Sequence, residues 1–485
     1  MGLGDITLQS ISALMPELFL CVAGVLLLLH GAYVRPKADG VNVSLTLFAT
    51  GLTLMMVIMA AGPAQLLMNG MFIADGFASF AKSLVLVAGM LVLLLSAGWL
   101  SEEGGRPFEF LILILFSMLG MLFMVSAADL LMLYVGLEMA SLCLYVLAAF
   151  QRDEGKSNEA GLKYFVLGAL ASGMMLFGMS LVYGFAGSTG FAELGQLFNE
   201  GAASKGLVVG LILLIVGFCF KLSAVPFHMW APDVYEGAPT PVTAFLSTAP
   251  KVAAFALFAR LLIQPFGDLI GQWQQVVVFA SAASMLVGAL AAIMQSNIKR
   301  LLAYSSIGHV GFMLMGLAAG SVAGVQAMLI YLALYVFMSA GAFGCVLLMR
   351  RSGQAVEDIR SLAGLSQTSP GMAMALAVFM FSMAGIPPLA GFFGKMYVVL
   401  AAMQAGLVWL AVFGVITSVI SCYYYLKVVK VMYFDIPARE FDRCVSLSLK
   451  GVVVVSALVV VFFFLAPSPL VHKAQAAAQS LVAAL

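Results

Sequence analysis

Apolar residues run along this chain in blocks too long and too uniform for a fold that faces water on its outside. A helix needs about 20 apolar residues to cross a bilayer. Stretches of that kind recur at residues 9–29, 41–61, 76–97, 108–125, 128–150, 160–185, 205–236, 240–263, 272–294, 300–319, 325–349, 372–402, 405–433 and 450–470. Short polar connections divide them, and no segment reads as a soluble domain. The pattern predicts an all-α integral membrane protein of about fourteen transmembrane helices, forming a single polytopic membrane domain over residues 1–485.

Two of these blocks are too long for simple crossings, and both carry helix breakers. Block 205–236 contains Lys221-Leu-Ser-Ala-Val-Pro226-Phe-His228, and block 372–402 contains Gly385-Ile-Pro387-Pro388 followed by Gly391, Gly394 and Lys395. Proline removes a backbone donor and clashes with the preceding turn, so helices seven and twelve are predicted to be discontinuous. Backbone groups freed at membrane depth persist only where protein buries them or a wet cavity receives them. Five helices separate the two breaks, and an odd offset means opposite crossing directions. Two inverted five-helix repeats, about 108–263 and 272–433, follow from that spacing; broken helices in inverted repeats are a transporter signature.

Composition strengthens the membrane reading and removes other function classes. Hydrophobic residues make up 63% of the chain and charged residues 9%, against roughly 25% charged in soluble domains. A net charge of +1 offers no basic stripe for nucleic acid. None of the six cysteines, Cys21, Cys143, Cys219, Cys345, Cys422 and Cys444, forms a C-x-x-C pair, and no two of the four histidines stand at metal-ligand spacing. No cofactor or metal is therefore expected in this chain. Loop cations fall on one side: Arg35, Lys37, Arg106, Arg152, Lys156, Lys299, Arg300, Arg350, Arg351, Arg360, Arg439 and Arg443 occupy alternate loops, while the opposite loops hold little beyond Lys205, Arg260 and Lys473. Basic loops stay cytoplasmic, which puts both termini on the far side.

Ionisable residues inside spans are expensive, face the protein interior and mark ion or proton pathways. Glu138 lies mid-span in the fifth block, Lys221 just before the first break, Lys251 midway along the eighth block after Pro250, and Lys395 just after the second break. Structural alternatives stand beside each: an ion pair without transport for Glu138 and Lys251, capping of freed carbonyls for Lys221, a reach to the outer interface for Lys395. Glu159 and Lys163 are four apart and share a helix face, which suits an interfacial ion pair as well as a function. Lys82 is explained by snorkelling. His228 and His309 are the deep histidines, suited to proton relay or to satisfied core positions. Tyr304, Ser305 and Ser306 add hydroxyls beside His309, and Tyr423, Tyr424 and Tyr425 crowd the thirteenth block. Deep lysines with one deep glutamate, and no pocket pattern for an organic solute, predict a proton or cation translocator.

Two motifs add a resemblance. Gln295-Ser-Asn-Ile-Lys299-Arg300-Leu-Leu-Ala-Tyr304-Ser-Ser306-Ile-Gly-His309-Val-Gly311 and Phe220-Lys221-Leu-Ser-Ala-Val-Pro226-Phe-His228-Met-Trp230-Ala-Pro232-Asp233, with Gly385-Ile-Pro-Pro and Gly394-Lys395, resemble the antiporter-like proton-channel family found in the membrane arm of proton-pumping NADH:quinone oxidoreductase, respiratory complex I. The resemblance covers about 110–430. It implies a hydrated axis of charged residues, carried here by Glu138, Lys221, Lys251 and Lys395 with Lys163 and Glu159 beside them. It also implies that FMN, iron–sulfur clusters and quinone belong to partner subunits, that an antiporter-like subunit M and a small subunit K are neighbours with lipid around them, and that the location is the bacterial inner membrane with periplasmic termini. Multisubunit cation/proton antiporters and membrane-bound hydrogenases share the pattern and are the alternative.

Overall fold

A computed structural model describes residues 8–34, 40–101, 107–199, 204–442 and 446–483. Of the residues named from the sequence, Arg35, Lys37, Arg106, Arg443 and Cys444 lie outside these. The helices are α1 Leu8–Tyr33, α2 Gly40–Met59, α3 Gly76–Ser101, α4 Glu109–Val125, α5 Leu130–Ala148, α6 Gly155–Ala186 and α7 Phe191–Asn199. They continue with α8 Lys205–Leu222, α9 Trp230–Gly237, α10 Thr240–Ser247, α11 Ala249–Ile263, α12 Ile270–Ile293, α13 Ile298–Ala318 and α14 Val322–Leu347. The last are α15 Leu365–Thr368, α16 Pro370–Ala384, α17 Ala390–Gln404, α18 Val408–Phe434, α19 Leu447–Phe462 and α20 Ser468–Ala483. Two antiparallel hairpins, Gln65–Leu67 with Phe72–Ala74 and Arg350–Arg351 with Gln354–Ala355, are the only sheets among the described residues. Twelve segments are long and apolar enough to cross a membrane, and Glu109–Val125 and Pro370–Ala384 are shorter apolar helices. The molecule is all-α and membrane-spanning.

Burial sorts the helices into a centre and a rim. Segment Thr240–Ile263, with α13 and α14, is almost wholly buried, whereas α1, α2, α6, α18 and α19 leave one apolar side open. Leu162, Phe165, Val166 and Leu170 of α6 and Val412, Val415, Ile416 and Val419 of α18 are exposed, an apolar exterior that water would not tolerate and lipid does. Helix α4 meets α5 at backbone distance because Gly120 and Gly136 face one another: a Cβ on Gly120 would lie 2.6 Å from the Ala140 nitrogen. Small residues at such crossings let membrane helices approach closely.

Both predicted breaks are present and share a local build. Helix α8 ends at Ser223 (φ +60°), where Ala224 N–H donates to the Cys219 carbonyl; α16 ends at Gly385 (φ +90°), where Ile386 N–H donates to the Phe381 carbonyl. These are left-handed C-terminal caps that reclaim orphan carbonyls. A cis Val225–Pro226 bond follows the first cap and a cis Pro387–Pro388 bond the second. Side chains from the second half of each helix reach back to the break: Trp230 Nε1 donates to the Phe220 carbonyl at 2.9 Å, and Lys395 Nζ to the Ala384 carbonyl at 2.9 Å. A third break was not expected. The block read as one span at 240–263 divides into α10 and α11 at Thr248 (φ −118°, ψ −92°), because Pro250 follows two residues later and lacks an N–H to continue the helix.

Two charged residues read from the sequence as surface groups are buried instead. Lys82 does not snorkel: it is 4% exposed, and its Nζ lies 2.5 Å from Glu17 of α1 and over the Phe72 ring. Arg260, assigned to a loop, is fully buried on α11. Its Nη1 and Nη2 donate to both Asp75 oxygens at 2.9 Å. Asp75 also caps α3 by accepting from Ala78 N–H at 2.6 Å. Gln264, one turn beyond Arg260, holds the Leu481 carbonyl, which ties α20 to the same end. Helix α20 itself was missed, although Ala474, Ala477, Ala478 and Leu481 stand at helical spacing and form its buried stripe.

Removing one partner of a buried ion pair costs about 3–5 kcal/mol because the other charge is stranded, whereas apolar replacement of both is often near neutral. Asp75→Ala is therefore expected to lower the stability of the purified protein by about that amount, and Asp75→Leu with Arg260→Met to recover most of it. Thermal unfolding in detergent checks this; equal losses in the single and double variants would remove the pair as a structural element.

Candidate functional site

Glu138, Ser141 and Tyr145 stand at i, i+3 and i+7 on α5, one face of the helix. That face meets Lys221 in the last turn of α8. Lys221 Nζ donates to Ser141 Oγ at 2.8 Å and to Tyr145 Oη at 3.2 Å, and lies 3.9 Å from Glu138 Oε1. Ser172 of α6 donates to that same Glu138 oxygen at 2.5 Å. The expected Glu138–Lys221 pair thus exists as a longer contact with hydroxyls packed around it. Lys221 does not cap carbonyls at the break; Trp230 does.

Lys251, one turn past the Thr248 break, is 2% exposed. Its Nζ donates to Ser223 at the first break at 3.2 Å and to Ser306 of α13, with no carboxylate beside it among the described residues. Tyr335 of α14 donates to the same Ser306 oxygen at 2.7 Å. One turn further along α13, His309 sits between two tyrosines, with Nδ1 2.8 Å from Tyr331 Oη and Nε2 3.2 Å from Tyr425 Oη. Ser305 completes the group at 2.5 Å from Tyr425. His309 is within electrostatic reach of both Lys251 and Lys395.

Lys395, on α17, is 8% exposed and does not extend to an interface. Besides the Ala384 carbonyl it donates to Ser418 of α18 at 2.8 Å, and its Nζ lies 5.1 Å from the centre of the Phe312 ring. Gly385 leaves room for it: a side chain there would meet the Lys395 ammonium at 3.3 Å.

Lys163 and Glu159 belong to a separate cluster at the basic end. Lys163 Nζ is 2.7 Å from Glu159 and 2.6 Å from Asp233 of α9. Arg300 of α13 bonds Asp233 at 2.7 Å and Glu236 at 3.2 Å; Glu236 also holds Lys156. Lys299 donates to the carbonyls of Glu236 and Ala238 and to Glu357. This network clamps α9, the second half of a broken helix, between α6 and α13. His228, in the loop of the first break, is half-buried, and its Nδ1 has no hydrogen-bonding partner among the described residues. The structure brings it to none of the deep lysines.

Sequence reading found the lysines and the glutamate but not Ser141, Tyr145, Ser172 and Ser223, which hold them, nor Tyr331 and Tyr335, which bond His309 and Ser306. The signal for two was present: Ser141 and Tyr145 repeat at helical spacing from Glu138. Asp233 and Arg300 stood within recognised motifs without a role. Chemically, the arrangement places three amines held by hydroxyls and carbonyls, one carboxylate and one imidazole, all titratable, along the interior. Among the described residues no group of three His, Cys, Asp or Glu could hold a metal.

Residues 127–421 match the family described as NADH:quinone oxidoreductase/Mrp antiporter, transmembrane. Among curated proteins, NADH-quinone oxidoreductase subunit N of Rhodospirillum rubrum is 55% identical over 470 residues, 96% of each chain. A chain of respiratory complex I from Thermus thermophilus is 34% identical with a TM-score of 0.83, over 95% of this chain and 100% of that one. A chain of the Mrp complex from Dietzia sp. DQ12-45-1b shares the fold, with a TM-score of 0.87 over 98% of both chains at 21% identity.

The clamp generates a stability prediction. Lys163 is 40% exposed at its side chain, and an exposed ion pair contributes about 0–1 kcal/mol, so Lys163→Ala is expected to change the melting point little. Asp233→Ala leaves Lys163 and Arg300 facing a site without their shared anion and is expected to cost more. A double-mutant cycle of Asp233→Ala with Arg300→Ala checks it by thermal unfolding: a coupling of about 1 kcal/mol is expected for residues in one network, and additive losses would refute the clamp.

Proposed function

The chain belongs to the NADH:quinone oxidoreductase/Mrp antiporter family, and on that premise we propose that it fills in its own complex the place that subunit N fills in Rhodospirillum rubrum. It is a membrane-arm proton-pumping subunit of respiratory complex I. The observation that carries the reading is the buried line of hydroxyl-held amines, Lys221, Lys251 and Lys395, in a chain 55% identical to that relative across nearly its full length.

In this reading the subunit performs no redox chemistry. FMN, iron–sulfur clusters and quinone reside in partner subunits, and the energy of quinone reduction reaches this chain as conformational and electrostatic change. Subunits M and K are its membrane neighbours. The complex lies in the bacterial inner membrane, with the loops bearing Arg152, Lys299 and Arg350 in the cytoplasm and both termini in the periplasm. The units 108–263 and 272–433 act as inverted repeats, a reading supported by the matching caps at Ser223 and Gly385.

A membrane-embedded lysine keeps its proton while a carboxylate stands beside it and yields it when that attraction weakens. The Glu138–Lys221 separation of 3.9 Å is close enough to couple and, with hydroxyls around the ammonium, loose enough to change. Released protons move from the Lys221 cluster through Lys251 and Ser306, past His309 and its tyrosines, to Lys395, with ordered water bridging the clusters. Coupled sites of this kind titrate together, so a charge change at one end shifts the next.

Three outcomes follow. Detergent extraction is expected to bring the chain down within an assembly that contains flavin and iron–sulfur clusters; recovery in a redox-free complex would favour the antiporter alternative. Glu138→Gln is expected to slow proton pumping in reconstituted vesicles together with NADH:quinone turnover, and normal pumping would remove the carboxylate from the relay. Lys395→Met is expected to assemble normally and lose about 100-fold or more of coupled turnover, the scale of a lost proton-transfer group. Lys395→Arg is also impaired, because a guanidinium does not release its proton, while Lys395→Glu retains part of the activity. Full activity of Lys395→Met would show that the lysine only satisfies the break.

A further inference from the structure

A cavity of about 1360 Å³ opens between α4, α5 and α6 at the cytoplasmic end. Glu109, Arg152, Asp153 and Glu154 supply its charged lining, and Phe116 and Phe165 belong to its apolar wall. Lys221, Ser141 and Glu138 do not touch the cavity; Tyr145 does. The same Tyr145 is 6% exposed, and its hydroxyl is hydrogen-bonded to Lys221 Nζ at 3.2 Å. One side chain therefore stands between this partly open cavity and the first lysine of the line and contacts both.

The position of that hydroxyl is built, not incidental. The ring is fixed edge-on against Tyr164 at 4.7 Å and Phe165 at 5.7 Å between centroids. Gly168 of α6 faces the hydroxyl so closely that a Cβ there would collide with it. A glycine inside a helix is unfavourable relative to alanine, and here it gives the phenol room to reach the ammonium.

We propose that Tyr145 is the last group on the cytoplasmic proton-uptake route to Lys221, and that the cavity between α4, α5 and α6 is its vestibule. The proposal rests on the proton-pumping reading above and on the loop orientation given with it. A phenol is both donor and acceptor. When Lys221 is charged it donates to Tyr145, whose own O–H then points away toward the cavity. When Lys221 has passed its proton on, its lone pair accepts the tyrosine O–H. In that step the Tyr145 O–H bond breaks as a new N–H bond forms on Lys221, while a proton from a hydronium or protonated buffer in the vestibule forms a new O–H bond on Tyr145. One proton moves inward, and the phenol ends neutral. The acidic lining, with Glu109, Asp153 and Glu154 against Arg152, concentrates cations in the cavity.

The experiment uses the assembled complex in proteoliposomes. Tyr145→Phe keeps the ring and removes the hydroxyl; Gly168→Ala keeps the hydroxyl and displaces it. Both are expected to reduce coupled NADH:quinone turnover and pumping by about tenfold at alkaline pH, where bulk protons are scarce, with a smaller loss at acid pH and partial rescue by added imidazole as a diffusible proton donor; tenfold corresponds to about 1.4 kcal/mol in barrier. A merely structural loss would be independent of pH and would not be rescued. Ala149→Cys, on the cavity wall, is expected to react with a membrane-impermeant maleimide in inside-out vesicles and not in right-side-out ones, with the labelled peptide identified by mass spectrometry. If Lys221→Met abolishes pumping while Tyr145→Phe matches the unmodified complex at every pH, the route through Tyr145 is overturned and the relay stands. If Lys221→Met pumps normally, the relay fails first and the uptake route with it. Labelling of Ala149→Cys only from the periplasmic side would also overturn the vestibule.

Discussion

Lipid offers no hydrogen bond, so every polar atom that this chain carries into the membrane must find its partner within the protein. That constraint organises the molecule. Where the helices run unbroken, their own backbone meets it. At Ser223 and Gly385 the helices stop inside the membrane, and the freed carbonyls draw polar side chains inward: Trp230 to Phe220, Lys395 to Ala384. The breaks and the buried donors are thus two sides of one requirement, and the proposed relay occupies the places where regular helix fails.

How a buried amine is satisfied divides the lysines and arginines into two populations. Arg260 with Asp75 and Lys82 with Glu17 are held directly against carboxylates. Such pairs hold their helices together, because removing one partner would strand the other's charge away from water. Lys251 and Lys395 are held instead by hydroxyls and a carbonyl, and Lys221 is bonded by two hydroxyls with the Glu138 carboxylate farther off at 3.9 Å. The first population staples helices; the second is the one the proposed relay uses. The clamp around Asp233 belongs with the staples, since each of its cations rests on an anion, and it fixes α9 so that the first break keeps its geometry.

The position of the polar groups within the helix layers follows the same physics. Helices α11, α13 and α14, which carry Lys251, His309 and Tyr331 with Tyr335, are the most completely enclosed, while α6 and α18 present apolar faces outward. Tyr145 and Ser418 stand where those rim helices meet the centre, so the two ends of the line lie nearest the outside and its middle is shielded. A low-dielectric interior strengthens each electrostatic contact along it, and a charge change at one end is therefore felt at the next.

The sequence by itself determined the membrane environment, the all-α class, the breaks near Pro226 and Pro387, and the identities of the deep charges, because each is a local property: run length, a missing backbone donor, a charge within an apolar block. It did not determine partners. Asp75 and Arg260 lie 185 positions apart, and nothing at either position announces the other; Arg260 and Lys82 were consequently read as surface groups. His228 follows Lys221 by only seven positions yet makes no bond to it, while Ser306 comes to Lys251 across 55 positions. The Thr248 break and the alanine stripe of α20 were visible as Pro250 and as helical spacing, but packing decided their weight. Tertiary structure alone settled which lysines rest on carboxylates and which on hydroxyls, because a side chain's partner in a helical membrane protein is chosen by the neighbouring helix, and helix neighbours are set by long-range packing that no local periodicity encodes.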